Sequence, residues 1–349
     1  MNTVPATASR SPRSRALTAS AALAALLPLT LAGCGGGVSS DGAETSETTA
    51  ADETVAVENC GRELSFDAAP TSVVGMMPSQ TELLLRLGVT AESLVGQAQT
   101  ETSPLPEDVA DQASDIPVLS TDMPPAREDL LATSPDFVVS PTEYEFTAEQ
   151  GFASLDQLAD NGAQAYVATG GCADRRNTAE VTDVMTDITN LGEIMGVPQE
   201  AAALNDDAEA RLAAVEDAIA EQDRLSVAQV YVEGNSLGAI GAGVEADIIL
   251  QAGGENVFDP DAPEFEAFFA TEVNPEEIIE RDPEAIVFGT SGPENEEQTR
   301  EYLTTTFPGT PAVENDRLIA VDQSDLYPGT LGNIDAVETI AVELYPEAF

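Results

Sequence analysis

Two stretches of the chain follow one pattern position by position, at the constant offset that separates Glu128 from Glu276. Glu128-Asp129-Leu130-Leu131 precedes Pro135 and the apolar run Phe137-Val138-Val139; Glu276-Glu277-Ile278-Ile279 precedes Pro283 and Ala285-Ile286-Val287. Each copy reads as a short helix that opens with acids, breaks ahead of a proline, and feeds a β-strand. The second copy marks its own start, with Asn274 as cap, Pro275 at the first helical position and Glu277 placed to complete a box-like arrangement. A chain that repeats such a unit is expected to form two lobes of one design.

The rest of the pattern agrees. Strands are expected over 71–77, 136–140 and 163–168, with helices over 80–87 and 152–159. The second half gives strands over 226–232, 285–289 and 317–321 and helices over 246–252 and 334–344. Strands alternating with helices predict an α/β fold, two Rossmann-like lobes with parallel-rich sheets. Residues 55–349 also exceed what one core usually holds. Between the halves, Val181, Val184, Met185, Ile188, Leu191 and Met195 recur at helical spacing up to Gly196 and Pro198. The spacing predicts one long helix over 178–195 joining the lobes, although a core helix of one large sheet would show the same periodicity.

The amino end reads differently. Residues 1–33 hold no acid, carry Arg10, Arg13 and Arg15, and then run apolar from Ala21 to Leu31. This is a secretory signal, too short to cross a bilayer, which takes about 20 residues. Leu31-Ala32-Gly33-Cys34 resembles the bacterial lipobox, which implies a lipid anchor on Cys34. From Gly35 to Thr54 only Val38 is a large apolar residue, so the segment is expected to be a flexible tether. Its reach is on the order of 25 Å. The expected divisions are a signal (1–33), a lipidated linker (34–54), an N-terminal α/β lobe (55–176), a bridging helix (177–197) and a C-terminal α/β lobe (198–349).

Composition excludes whole classes. The basic residues are all arginine, 13 against 63 acids, which argues against nucleic acid as a partner. Such acidity suits high ionic strength, where self-repulsion is screened. Histidine is absent, and with it imidazole catalysis and histidine metal sites. No nucleophile elbow, Walker loop or dinucleotide fingerprint occurs. Neither catalytic residues nor a cofactor is expected; a surface hydrolase using paired carboxylates is the alternative from the enzyme class. With Cys34 acylated, Cys60 and Cys172 remain, and outside the cytoplasm they are expected to form a disulfide, two buried free thiols being the alternative.

Taken together, Asn59-Cys60-Gly61 leading to Val73-Val74 and Pro78-Ser79-Gln80-Thr81-Glu82, the two repeats, and Ala252-Gly253-Gly254-Glu255-Asn256-Val257-Phe258 resemble the iron-siderophore and cobalamin binding proteins of ABC importers. The resemblance covers residues 55–349. It implies a ligand cleft between two lobes joined by one long helix, and a location on the outer face of the cell membrane. It also implies that Glu128 and Glu276 dock on arginines of a membrane permease dimer, although each acid also complements a helix start.

Ligands of open parallel sheets bind beyond the carboxyl ends of the strands. The loops there offer Tyr144, Phe146 and Tyr327 as large contacts and Met76 and Met77 as adaptable ones. Arg175 and Arg176 suit an anionic ferric catecholate or citrate chelate, or else pair with neighbouring acids. Glu143 and Glu145 instead favour a neutral or cationic hydroxamate. The Gly238–Gly243 run reads as a flexible cleft loop. A ferric siderophore, a preformed iron chelate, is the expected ligand, ahead of a corrinoid and of haem held through tyrosine.

Overall fold

The computed structural model describes residues 54–349 apart from Asn235. The signal 1–33, all but the last residue of the linker 34–54, and Cys34 lie outside the described residues.

The first lobe opens with a hairpin, β1 (Val55–Asn59) and β2 (Arg62–Phe66), turned by Cys60 and Gly61. Both turn residues have positive φ, 48° and 68°, the conformation whose twist matches a two-residue hairpin loop. Asn59 then fixes the hairpin to the sheet: its Nδ2 donates to Val167 O (2.6 Å) and its Oδ1 accepts from Val167 N (2.8 Å). The lobe continues through β3 (Val73–Gly75), α1 (Pro78–Arg86), β4 (Leu94–Gln97), α2 (Glu107–Ala113), α3 (Arg127–Ala132), β5 (Phe137–Ser140), α4 (Leu155–Asp160) and β6 (Gln164–Val167). These strands form a parallel sheet in the order β4-β3-β5-β6. Every residue of β3 and β5 is buried, as in a sheet covered on both faces.

Two helices follow, α5 (Asp183–Ile194) and α6 (Pro198–Ile219). The second lobe comprises β7 (Leu225–Glu233), β8 (Ser236–Ile240), α7 (Gly243–Gln251), β9 (Gly254–Asn256), β10 (Ala270–Glu272), α8 (Pro275–Arg281), β11 (Ala285–Thr290), α9 (Pro293–Thr306), α10 (Pro311–Glu314), β12 (Leu318–Asp322) and α11 (Gly332–Leu344). Its sheet has the order β10-β8-β7-β11-β12, with β9 also on β7; β7, β9, β11 and β12 pair parallel, and β8 pairs antiparallel with both β7 and β10. One apolar cluster runs from α1 through α5 and α6 to α7 and α11, so the lobes share a core through their helices. Among the described residues no helix is long and apolar enough to cross a membrane.

The repeat is a tertiary device as well as a sequence pattern. Ser134 and Asp282, at equivalent positions before their prolines, both adopt left-handed φ (52° and 48°) and end their helices. Two residues on, Asp136 accepts from the amides of Thr71 and Ser72 (2.9 Å each), and Glu284 accepts from the amide of Ser226 (3.0 Å). Each carboxylate thus ties the start of its own strand to the start of the neighbouring one, β3 or β7. The capping box of Asn274 and Glu277 is formed, with Pro275 in the first turn.

Two expectations need correction. The helix read over 178–195 spans only Asp183–Ile194, because the chain first makes a 3-10 turn at Arg176–Thr178. Pro198 does not merely stop a helix: it opens α6, the longest helix among the described residues, so a helix pair links the two sheets. The glycine-rich run is not a flexible loop either. Ser236–Ile240 is strand β8, and Gly243 begins α7.

Candidate functional site

The carboxyl ends of the parallel strands face one another across the two lobes, and four sets of side chains bridge them. Gln80, in the first turn of α1, donates from Nε2 to the carbonyls of Pro328 (3.4 Å) and Gly329 (3.2 Å). Ser103 donates to Asp322 at the end of β12. Asn177 donates to the carbonyls of Phe265 (3.0 Å) and Glu266 (3.1 Å). Arg176 makes a two-pronged ion pair with Glu245 in the first turn of α7, at 2.9 and 2.5 Å, and its guanidinium lies 3.7 Å from the ring centre of Phe269. Gly243 is required here: it has φ +77°, and a β-carbon would meet Arg176 Nη1 at 2.5 Å.

Within this frame Glu145 and Tyr327 approach from opposite lobes. Burial, then the charges of Glu145 and Glu245, push the Tyr327 phenol up from its ordinary range. Glu145 is 3 % exposed and accepts from Thr142 Oγ1 (2.6 Å) and Ser140 Oγ (3.2 Å), both on Oε2. Burial pushes its carboxyl up despite these donors. Asp322 is raised by burial as well. Arg176 is the cation of this set, and Glu245 already matches it.

Of the ligand candidates read from sequence, the fold brings Arg176 and Tyr327 together and scatters the others. Met76 is fully buried: its amide extends the β3 ladder to Val139 O (2.9 Å), which turns its side chain into the core with Leu130 and Val138. Met77 is buried too. The 3-10 turn Tyr144–Phe146 sends Phe146 into that core and leaves Tyr144 outside, 47 % exposed and edge-on to Phe152 at 5.7 Å. Glu145, between them, is the residue that points inward. Arg175 turns away to Glu180 and Asp183, each at 2.9 Å. Sequence reasoning missed Glu245, Gln80 and Ser103; acids this abundant gave no reason to single out Glu245.

Cys60 and Cys172 are joined by a disulfide, Cα–Cα 5.2 Å, which pins the hairpin tip to the segment after β6. Glu128 is exposed in the first turn of α3 and pairs with Arg127 at 2.5 Å; Glu276 is exposed in the first turn of α8. A groove of about 750 Å³ lies elsewhere, between Asn177–Glu180 and the edge formed by α7 and β9. It reaches Ser226 at the amino end of β7, the wrong end of the sheet for the cleft. Among the described residues no cluster of acids and cysteines is arranged to hold a metal ion.

The model of the periplasmic binding protein family matches residues 73–324. Among solved structures, a periplasmic binding protein of Veillonella parvula superposes with a TM-score of 0.73 at 22% identity, over 84% of this chain and 98% of that one. An ABC-type Fe3+-hydroxamate transport protein of Saccharomonospora viridis gives 0.67 at 22% identity, over 83% and 98%. The vitamin B12 binding protein of Vibrio cholerae gives 0.62 at 17% identity, over 79% and 97%. No curated protein sequence matches the chain significantly. With paired sheets, strand ends that meet across a cleft and a family match over most of its length, the chain belongs to the periplasmic binding protein family.

Proposed function

We propose that the protein is a lipid-anchored receptor on the outer face of the cell membrane that binds a ferric siderophore and delivers it to an ABC permease. Cys34 is its anchor, residues 34–54 its tether, and 55–176 and 198–349 its lobes about the helical linker. Glu128 and Glu276 are its contacts to the permease.

The observation that carries the ligand reading is the saturation of the cleft arginine. Glu245 holds Arg176 in a two-pronged pair, and Arg175 is taken by Glu180 and Asp183. Neither guanidinium is free to clamp a catecholate or citrate complex, and a chain without histidine is poorly equipped to strip a bare metal ion. A neutral or cationic hydroxamate chelate fits what remains.

Thermal shift of the purified mature chain against ferric hydroxamates, ferric citrate, a ferric catecholate, cobalamin and haemin tests this. Stabilisation by a hydroxamate is expected; a response confined to cobalamin or haemin would overturn the siderophore reading. Intact mass of the membrane-extracted chain should show a diacylglycerol-modified Cys34 as the first residue, and an unmodified amino end would remove the anchor.

A further inference from the structure

The charge inventory of the cleft leads to a narrower statement, which rests on the chelate reading above. Arg176 and Glu245 cancel. What they leave is Glu145, buried in the first lobe, and the half-buried Asp322 in the second, and among the described residues no arginine forms an ion pair with either.

Glu145 is built as a receiving group. Thr142 and Ser140 hold its Oε2, so the carboxyl is fixed, while Oε1 accepts from neither hydroxyl. The Gln99 amide, which also donates to Met76 O at 2.8 Å, adds a hydrogen bond that favours the charged form, so the donors to this carboxylate are neutral groups and none is a cation. Across the cleft stands Tyr327, a neutral phenol kept neutral by its surroundings. A carboxylate taken out of water without a cation is costly, and a ligand that brings one recovers that cost.

We propose that the cleft selects a ferric hydroxamate carrying net positive charge, and that Glu145 sets this preference by receiving a protonated amine arm of the chelate. The acidic wall of Asp322 reinforces the sign, and the self-matched Arg176 offers nothing to an anion. A charge-assisted hydrogen bond in a buried site makes the preference about tenfold or more.

The test uses two ligands with the same iron coordination and one unit of charge between them, ferrioxamine B and its N-acetyl derivative. Titration calorimetry of the full mature chain should show the cationic chelate binding at least about tenfold tighter. Glu145→Gln keeps the shape of the side chain and an acceptor for Thr142 and Ser140. In that variant the two affinities should converge, and an unchanged far-ultraviolet circular dichroism spectrum verifies folding. Equal affinities in the wild type, or a preference that survives Glu145→Gln, would overturn the proposal and leave the siderophore reading standing. Binding of neither chelate would overturn the hydroxamate reading itself.

Discussion

Asp187 carries three hydrogen bonds on one oxygen and none on the other. Tyr166 Oη (2.7 Å), Thr169 N (2.8 Å) and Thr169 Oγ1 (2.6 Å) all donate to Oδ1, while Oδ2 is buried without a partner. Burial lifts this carboxyl from 3.8 to about 7. Asp325 is lifted to about 8, by burial first and then by Asp322, Asp335 and Glu82. An acid raised in the folded state favours folding when protonated, so its penalty grows as pH climbs past the unfolded value near 4 and saturates above the folded one. Since the chain has no histidine, few other groups change charge between pH 6 and 8.5. The melting temperature should therefore fall by several degrees across that window. Asp325→Asn should flatten its upper part and Asp187→Asn its lower part; a wild-type melting temperature that is constant from pH 6 to 8.5 sinks this account. Asp187 had a readable signal, a polar residue on the apolar stripe of Val184, Ile188 and Leu191. The orientation of Glu145 had none, because whether Tyr144 or Glu145 faces inward depends on a 3-10 turn with no periodic mark in the sequence.

The pairing of α5 with α6 shows why elements were read unevenly. Strands β5 and β11 are continuous apolar runs behind a proline, and they were legible to within a residue or two. Helix α6 was not, because its fully buried positions, Ala201, Ala208 and Val215, are small residues seven apart in an alanine-rich segment. Small residues give a weak periodic signal and a close approach: a β-carbon at Gly192 of α5 would stand 2.3 Å from the Ala201 methyl. Two effects then oppose each other in Gly192→Ala. Helix propensity gains about 1 kcal/mol, whereas overpacking a tight contact costs about 1 to 3 kcal/mol. Overpacking should win, with a lower melting temperature for Gly192→Ala and a larger loss for Gly192→Val, whose branched side chain also gives up propensity. Moving the methyl to the other helix is the decisive control: Gly192→Ala combined with Ala201→Gly should recover much of the loss, and strictly additive effects would show that the contact is not the cause.

At the scale of the molecule, the repeat makes the two lobes equivalent in one respect that single-residue chemistry does not reveal. Helices α3 and α8 start at matching places, so an exposed glutamate stands in the first turn of each, Glu128 and Glu276. The two-lobe frame was legible because this pattern recurs in full. The contacts that bring the lobes together were not, since Gln80 with Gly329 or Arg176 with Glu245 lie far apart in sequence with no shared motif. If the matched acids are the permease contacts, reversing both should abolish uptake without touching the cleft. Glu128→Arg with Glu276→Arg is therefore expected to eliminate accumulation of radiolabelled ferric chelate by cells that express the cognate permease, while the purified variant keeps its wild-type affinity. The two sites are not equal, however. Glu128 is already paired with Arg127, although both side chains are exposed and solvent screening leaves such a pair weak. A permease arginine can displace that partner at small cost, and Arg127→Ala should leave uptake unchanged or slightly raised. Weakened ligand binding by the double reversal would place these acids in the structure of the lobes and not at a docking face; undiminished uptake would remove them from docking altogether.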